Sequence, residues 1–240
     1  MGGVPADRVV SLVPSITEGL AAARSAALVG ATDWCTHPPD LDVRRVRGTK
    51  NPDLRAIRDL APDVVIANKE ENREIDVRRL RDAGISVWVC EIETVPQAFA
   101  AYDELFDEVL GWERPAWLAE ARGLWSGELP EVTARVAVPI WRDPWMVVGS
   151  RTFTGDLLRR LGLENVYADH PDRYPHVDVA DVDDGRADLV LLPDEPYVFT
   201  AADGPDAFAR TPTRLVSGRL VTWYGPSLVE AWHEGRRLLP

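Results

Sequence analysis

Leu60-Ala61-Pro62-Asp63-Val64-Val65-Ile66-Ala67, followed at once by Asn68-Lys69-Glu70-Glu71-Asn72, is the stretch that decides the fold. The short apolar run from Asp63 reads as a buried strand. The polar cluster behind it then lies outside the strand's carboxyl end, where open α/β sheets bind ligands. Four further clusters repeat the arrangement. Asp33-Trp34-Cys35-Thr36-His37-Pro38 follows the run Leu28 to Thr32, and Trp141-Arg142-Asp143-Pro144-Trp145 follows Val136 to Ile140. Pro193-Asp194-Glu195-Pro196-Tyr197 follows Leu189 to Leu192, and Thr222-Trp223-Tyr224-Gly225-Pro226 follows Leu220-Val221, also read as a strand. Two clusters fall in the first half of the chain and three in the second, which predicts two lobes closing on one ligand.

Helical signals alternate with these runs. Val9 to Val13 reads as a strand, and Ser15 with Glu18 has the spacing of a capping box opening a helix. Leu54, Ile57 and Leu60 share one helical face. Ile75, Val77, Leu80 and Ala83 mark another helix, ended by Gly84 before the strand Ile85 to Cys90. Thr94 and Gln97 repeat the capping-box spacing ahead of Phe99, Tyr102, Leu105, Phe106 and Val109, and Gly111 breaks that helix. Pro115 suits the first turn of the next, which runs through Trp125 to Pro130. In the second half, Met146 to Gly149 and Asn165 to Ala168 read as short strands, Thr152 to Leu161 as a helix ended by Gly162, and Pro226-Ser227 as the opening of a terminal helix. The alternation predicts an α/β fold of two mainly parallel-sheet lobes, residues 1–95 and 134–240, with a helical connection over 96–133.

The bulk properties narrow the function. With 240 residues, 45% hydrophobic and 28% charged, the chain is long enough for real cores. Its formal net charge of −12 repels nucleic-acid phosphates, so no nucleic-acid partner is expected. No apolar stretch approaches the roughly 20 residues that span a bilayer, so no membrane insertion is expected. The opening Met1-Gly2-Gly3-Val4-Pro5-Ala6-Asp7-Arg8 has neither a positive n-region nor an apolar h-region. The chain as given is therefore expected to be cytoplasmic, or periplasmic or extracellular if a leader was removed. Cys35 and Cys90 are the only cysteines; a bond between them is open to the sequence, while a cytoplasmic chain keeps them reduced.

Trp34, Trp141, Trp145, Tyr197, Trp223 and Tyr224 are candidates for an aromatic surface that takes a large, partly flat ligand. Packing between lobes is the plainer alternative for them. Lys50, Lys69 and Arg142, with Glu70 beside them, are candidates for polar ligand contacts. The cations pair either with ligand carboxylates or phosphate, or with Glu70, Glu71, Asp143 or Asp194. Cys35 and His37 supply a thiolate and an imidazole to a metal or to a bound metallocofactor, or else simply pack and hydrogen-bond. No P-loop, G-x-G-x-x-G or G-x-S-x-G elbow is present, so no enzyme is expected; a reactive Cys35–His37 pair is the one opening for catalysis.

Arg8-Val9-Val10-Ser11-Leu12-Val13-Pro14-Ser15-Ile16-Thr17-Glu18 resembles the opening of class III solute-binding proteins, the cobalamin, haem and siderophore receptors of ABC importers. Leu60 to Ala67 is similar to that family's L-x-P-D-L-V-I-A segment, and Gly162-Leu163-Glu164-Asn165-Val166 to its G-G-x-N-V turn. Gly48-Thr49-Lys50, Asn68 to Asn72, Ile140 to Pro144 and Thr222 to Gly225 resemble a subgroup called cobalamin-binding proteins or helical-backbone metal receptors. The resemblance runs from Arg8 to about Leu238. It implies two lobes and non-catalytic capture of a metal-bearing or aromatic small molecule, of corrinoid, haem or siderophore class, in an inter-lobe cleft. A corrinoid or other metallo-ligand would then be the bound solute, and no resident cofactor is required. The alternative is a cytoplasmic enzyme or cofactor chaperone on the same scaffold. Cobalamin receptors of the family carry a glutamate on each lobe that pairs with permease arginines. Those positions fall at Arg55 and about Ala180 here, which argues against docking to a standard permease.

Overall fold

The computed structural model describes residues 5–238 and divides the chain into two compact units. Among the described residues, the first comprises 5–92, 96–120 and 224–226; the second comprises 93–95, 121–223 and 227–238.

In the first unit, β1 (Val9–Ser11), β2 (Leu28–Ala31) and β3 (Arg44–Arg45) lie on one side of a five-stranded sheet. The small hairpin β4 (Arg47–Gly48) and β5 (Asn51–Pro52) follows, and β6 (Val64–Asn68) and β7 (Val87–Cys90) complete the sheet in the order β3-β2-β1-β6-β7. Every pairing in it is parallel. All residues of β1 and β6 are buried, as strands covered on both faces must be. Their apolar residues meet α1 (Pro14–Arg24), α2 (Leu54–Asp59) and α3 (Glu74–Asp82). One core cluster gathers Val10, Leu12, Val65, Ala56, Ile57 and Leu80. Asp53 caps α2 by accepting from the Arg55 and Ala56 amides, and Gly84, at φ +80°, ends the turn after α3.

Two further helices follow, α4 (Val95–Glu104) and α5 (Ala116–Leu124). Leu105–Leu110 continues α4 as a π-helix that Gly111 closes in the left-handed region.

The second unit repeats the plan. β8 (Ala134–Ala137) leads into a hairpin of β9 (Pro139–Trp141) and β10 (Met146–Val147), then α6 (Phe153–Arg160) and β11 (Leu163–Asn165). After α7 (Val179–Val182) come β12 (Leu189–Pro193) and β13 (Thr213–Val216). The sheet order is β11-β8-β12-β13, again parallel throughout. α8 (Gly218–Thr222) and α9 (Ser227–Gly235) follow. Ala137, Val190, Leu192, Val147, Tyr167 and Phe199 belong to one buried cluster.

Four sequence expectations are corrected. Leu220-Val221 lies in α8, not in a strand; the edge strand is Thr213–Val216, whose exposed Leu215 and alternating Arg214 hide it. The strand expected over Asn165 to Ala168 is β11, which starts two residues earlier and ends at Asn165, with 166–169 forming a turn. The run Val136 to Ile140 is split at Val138 into β8 and β9. Ser15 is not an N-cap: Pro14 occupies the first helical turn, Val13 is the cap residue without a side-chain bond, and Ser15 and Glu18 are buried.

Candidate functional site

Each sheet reverses its winding once, and each reversal defines a crevice outside the strand ends. In the first unit the chain goes from β1 to β2 on one side and later to β6 on the other. In the second it goes from β8 to β11 and then back across to β12. The sequence candidates distribute over these two switch points.

At the first, the turn after β6 is organised by two buried asparagines. Asn68 Oδ1 accepts from the Glu70 amide at 2.8 Å, Asn72 Oδ1 accepts from the Asn68 amide at 2.8 Å, and Asn72 Nδ2 donates to the Thr49 carbonyl at 3.0 Å. This pair also pins the loop that carries Lys50, whose Nζ donates to the Glu70 carbonyl. Lys69 is ion-paired with Glu91 at 2.8 Å on the surface. Tyr224 is buried and donates to Glu71 Oε1 at 3.3 Å, and burial raises its pKa well above the ordinary tyrosine value. Gly225 lets that segment approach: a Cβ there would sit 2.6 Å from the Ser15 carbonyl oxygen. Trp34, on the loop after β2, is 63% exposed.

The Cys35–His37 pair does not share one environment. Cys35 is fully buried, its sulfur 3.0 Å from Thr17 Oγ1 and 3.2 Å from Thr32 Oγ1. Burial pushes its pKa up, and the two threonines offset this only in part, so it is a packed thiol rather than a ready thiolate ligand. His37 is half-buried, with Nδ1 3.1 Å from Thr36 Oγ1. Among the described residues no group of three or more His, Cys, Asp or Glu side chains is placed to hold a metal. Cys35 and Cys90 are both free, and burial pushes Cys90 up to about 12.

At the second switch point the β9–β10 turn and the loop after β12 build an aromatic group. Trp141 is 43% exposed and meets Tyr197 edge to face, with ring centres 5.6 Å apart. Tyr197 leans on Phe199 at 4.7 Å and donates to Asp203 Oδ2 at 2.6 Å. Trp145 is stacked on Phe199 at 5.9 Å and edge-on to Phe208 at 5.5 Å, so it belongs to the packing beneath. Arg142 lies 5.5 Å over the Trp145 ring. Its nitrogens bond Asp206 Oδ1 and Oδ2 at 3.1 and 3.0 Å and also Asp203, with Asp143 3.9 Å away. The bond to Asp206 raises the arginine pKa and holds Asp206 down at about 2. The hydrogen bond to Asp203 raises that of Tyr197.

Asp203, Asp206, Phe199 and Phe208 join this group without any strand-end cluster to mark them in the sequence. The turn Asp203-Gly204-Pro205-Asp206, with Gly204 at φ +127°, was the only available signal for the two aspartates. Trp223 is 6% exposed, and its indole bonds Glu195. Burial raises the Glu195 pKa, opposed by bonds from Trp223 and Thr222. Trp223 thus supports the loop after β12 from within the protein.

No family profile matches the chain. A vitamin B12-binding protein of Salmonella typhi is 28% identical over 178 residues, covering 72% of this chain and 66% of that protein. The chain therefore spans just under two thirds of that relative's length. The crystal structure of the periplasmic vitamin B12-binding protein of Vibrio cholerae superimposes with a TM-score of 0.81 at 18% identity, covering 98% of this chain and 97% of that one. The chain is similar to class III solute-binding proteins and shares their fold. A periplasmic haem-binding protein from Pseudomonas aeruginosa gives 0.80 at 20% identity, covering 98% and 92%. At these identities the solved structures establish the class III fold alone. No helix among the described residues is long and apolar enough to cross a membrane.

Proposed function

We propose that the chain is a non-catalytic solute-binding protein that takes a flat small molecule of the corrinoid or haem class for ABC-type import. The observation that carries this reading is Trp141, an indole left 43% exposed at a topological switch point and braced by Tyr197, in a fold whose named relatives bind vitamin B12 or haem. An exposed, rigidly supported aromatic gives a ring-shaped solute a stacking surface at little entropic cost. Trp34, Lys50, Lys69 and Glu70 are the first unit's proposed contacts.

The enzyme alternative required Cys35 as a nucleophile. A thiol with a raised pKa, buried against two threonines, is inert in that role. The solved relatives named above are periplasmic, which favours that placement over a cytoplasmic one. Arg55 on α2 and Ala180 on α7 are both exposed. A cation and a methyl group cannot make the ion pairs expected of docking glutamates, so we propose that a cobalamin-type permease does not hold this chain stably.

The test is native mass spectrometry and absorbance of the purified chain after incubation with cyanocobalamin or hemin. A retained 1:1 chromophore supports the reading. A folded chain that retains neither opposes it.

A further inference from the structure

Charge around Trp141 narrows the class of solute. Arg142 adjoins the exposed indole in sequence, but its guanidinium is already engaged with Asp203 and Asp206 and has Asp143 within 4 Å. One cation thus meets three carboxylates. Tyr197 directs its hydroxyl to Asp203, so that donor is also used. In the first unit Lys69 is paired with Glu91 and Lys50 donates to the Glu70 carbonyl. Every cation among the candidate contacts is therefore engaged inside the protein.

We propose that the Trp141 loop selects against carboxylate-bearing solutes and accepts flat neutral or cationic ones. A ligand carboxylate reaching Arg142 must displace an aspartate from its two-point bond and then sit among like charges. A neutral ring stacked on Trp141 disturbs none of those bonds, and a cationic one is attracted to the surplus carboxylates. Specificity of this kind is a difference of affinities produced by repulsion of the wrong ligand.

This inference rests on the solute-binding reading above, and the experiment separates the two. Hemin and hemin dimethyl ester share a ring and an iron and differ in their two carboxylates. Titration of the full chain with each, read by quenching of tryptophan fluorescence, is expected to show the ester bound at least about tenfold more tightly, the scale of one like-charge contact near a protein surface. Raising the salt to 0.5 M should narrow the gap, since exposed charges are then largely screened. The variant Asp203→Asn with Asp206→Asn frees Arg142 and should bring the two affinities within about threefold, with its fold checked by circular dichroism. Should that variant not fold, the salt series on the unmodified chain decides alone. Hemin bound as tightly as its ester, or a gap that neither salt nor the variant changes, overturns the inference while leaving solute binding intact. If hemin, its ester and aquocobalamin all fail to bind the folded chain, the solute-binding reading itself fails and takes the inference with it.

Discussion

Replacing Trp145 and, separately, Trp141 by Ala distinguishes the tryptophan that holds the second unit together from the one left for a ligand. Trp145 stacks on Phe199, meets Phe208 edge-on and carries Arg142 over its face. Each aromatic pair is worth about 0.5–1.5 kcal/mol beyond burial. The guanidinium contact adds roughly 0.5–1 kcal/mol. With the lost burial of a partly covered indole, Trp145→Ala should destabilise the second unit by about 3 kcal/mol. Trp141 has one aromatic partner, Tyr197, and is 43% exposed, so Trp141→Ala should cost about 1 kcal/mol or less in stability. The assay is urea denaturation followed by circular dichroism, fitted with one transition per unit. Solute affinity is then measured on the folded variants. Trp141→Ala should lose at least about fivefold in affinity, the scale of one aromatic contact. Equal destabilisation by the two substitutions, or a Trp145→Ala variant as stable as the parent, refutes this division of roles.

Thr152 Oγ1 accepts from the Gly155 amide at the start of α6, so Thr152→Ala should lower stability by about 1 kcal/mol in the same denaturation assay. Asp206 is held at about 2 by Arg142, so its contribution to stability is present above the ordinary aspartate value and is lost as pH falls through about 2. Arg142→Gln should move its titration, followed by carboxyl NMR shifts, back toward about 3.9. Glu195 has a raised pKa through burial, so its contribution is full below the ordinary glutamate value and is lost as pH rises through the raised one; Glu195→Gln should abolish that loss in a pH series of unfolding midpoints. Both thiols are buried with raised pKa values, so a disulfide-exchange reagent at pH 8 should react slowly with the native chain and count two thiols only after denaturation.

The elements that were legible in the sequence are those with a strong local cause. β6 announces itself through Val64-Val65-Ile66-Ala67, α3 through its apolar spacing and Gly84, and α6 through Thr152 and Gly162. The misread elements are those whose local pattern competes with another. Leu220-Val221 is apolar enough for a strand, but Gly218 lies against Glu195, where a Cβ would meet its Cγ at 2.2 Å, and the chain turns there into a short helix. β13 is an edge strand with one partner, so it needs no continuous apolar run. The candidate site divides in the same way. Clusters at strand ends pointed to Trp141, Arg142 and Tyr197, whereas the partners of Arg142 lie 61 and 64 residues away, a separation at which no local periodicity operates. The burial of Cys35 and Trp223 was hidden for the same reason: each is enclosed by packing from distant segments, which no local pattern encodes.

Equilibrium titration of the full chain with cyanocobalamin and with hemin, monitored by tryptophan quenching, decides whether it captures a ring-shaped solute reversibly, as proposed. Saturable 1:1 binding of at least one of them is expected, with a Kd of about 1 μM or below, roughly −8 kcal/mol, weakened in Trp141→Ala. A folded chain that shows no saturable quenching with either ligand, or a Trp141→Ala variant that binds as tightly as the parent, contradicts it.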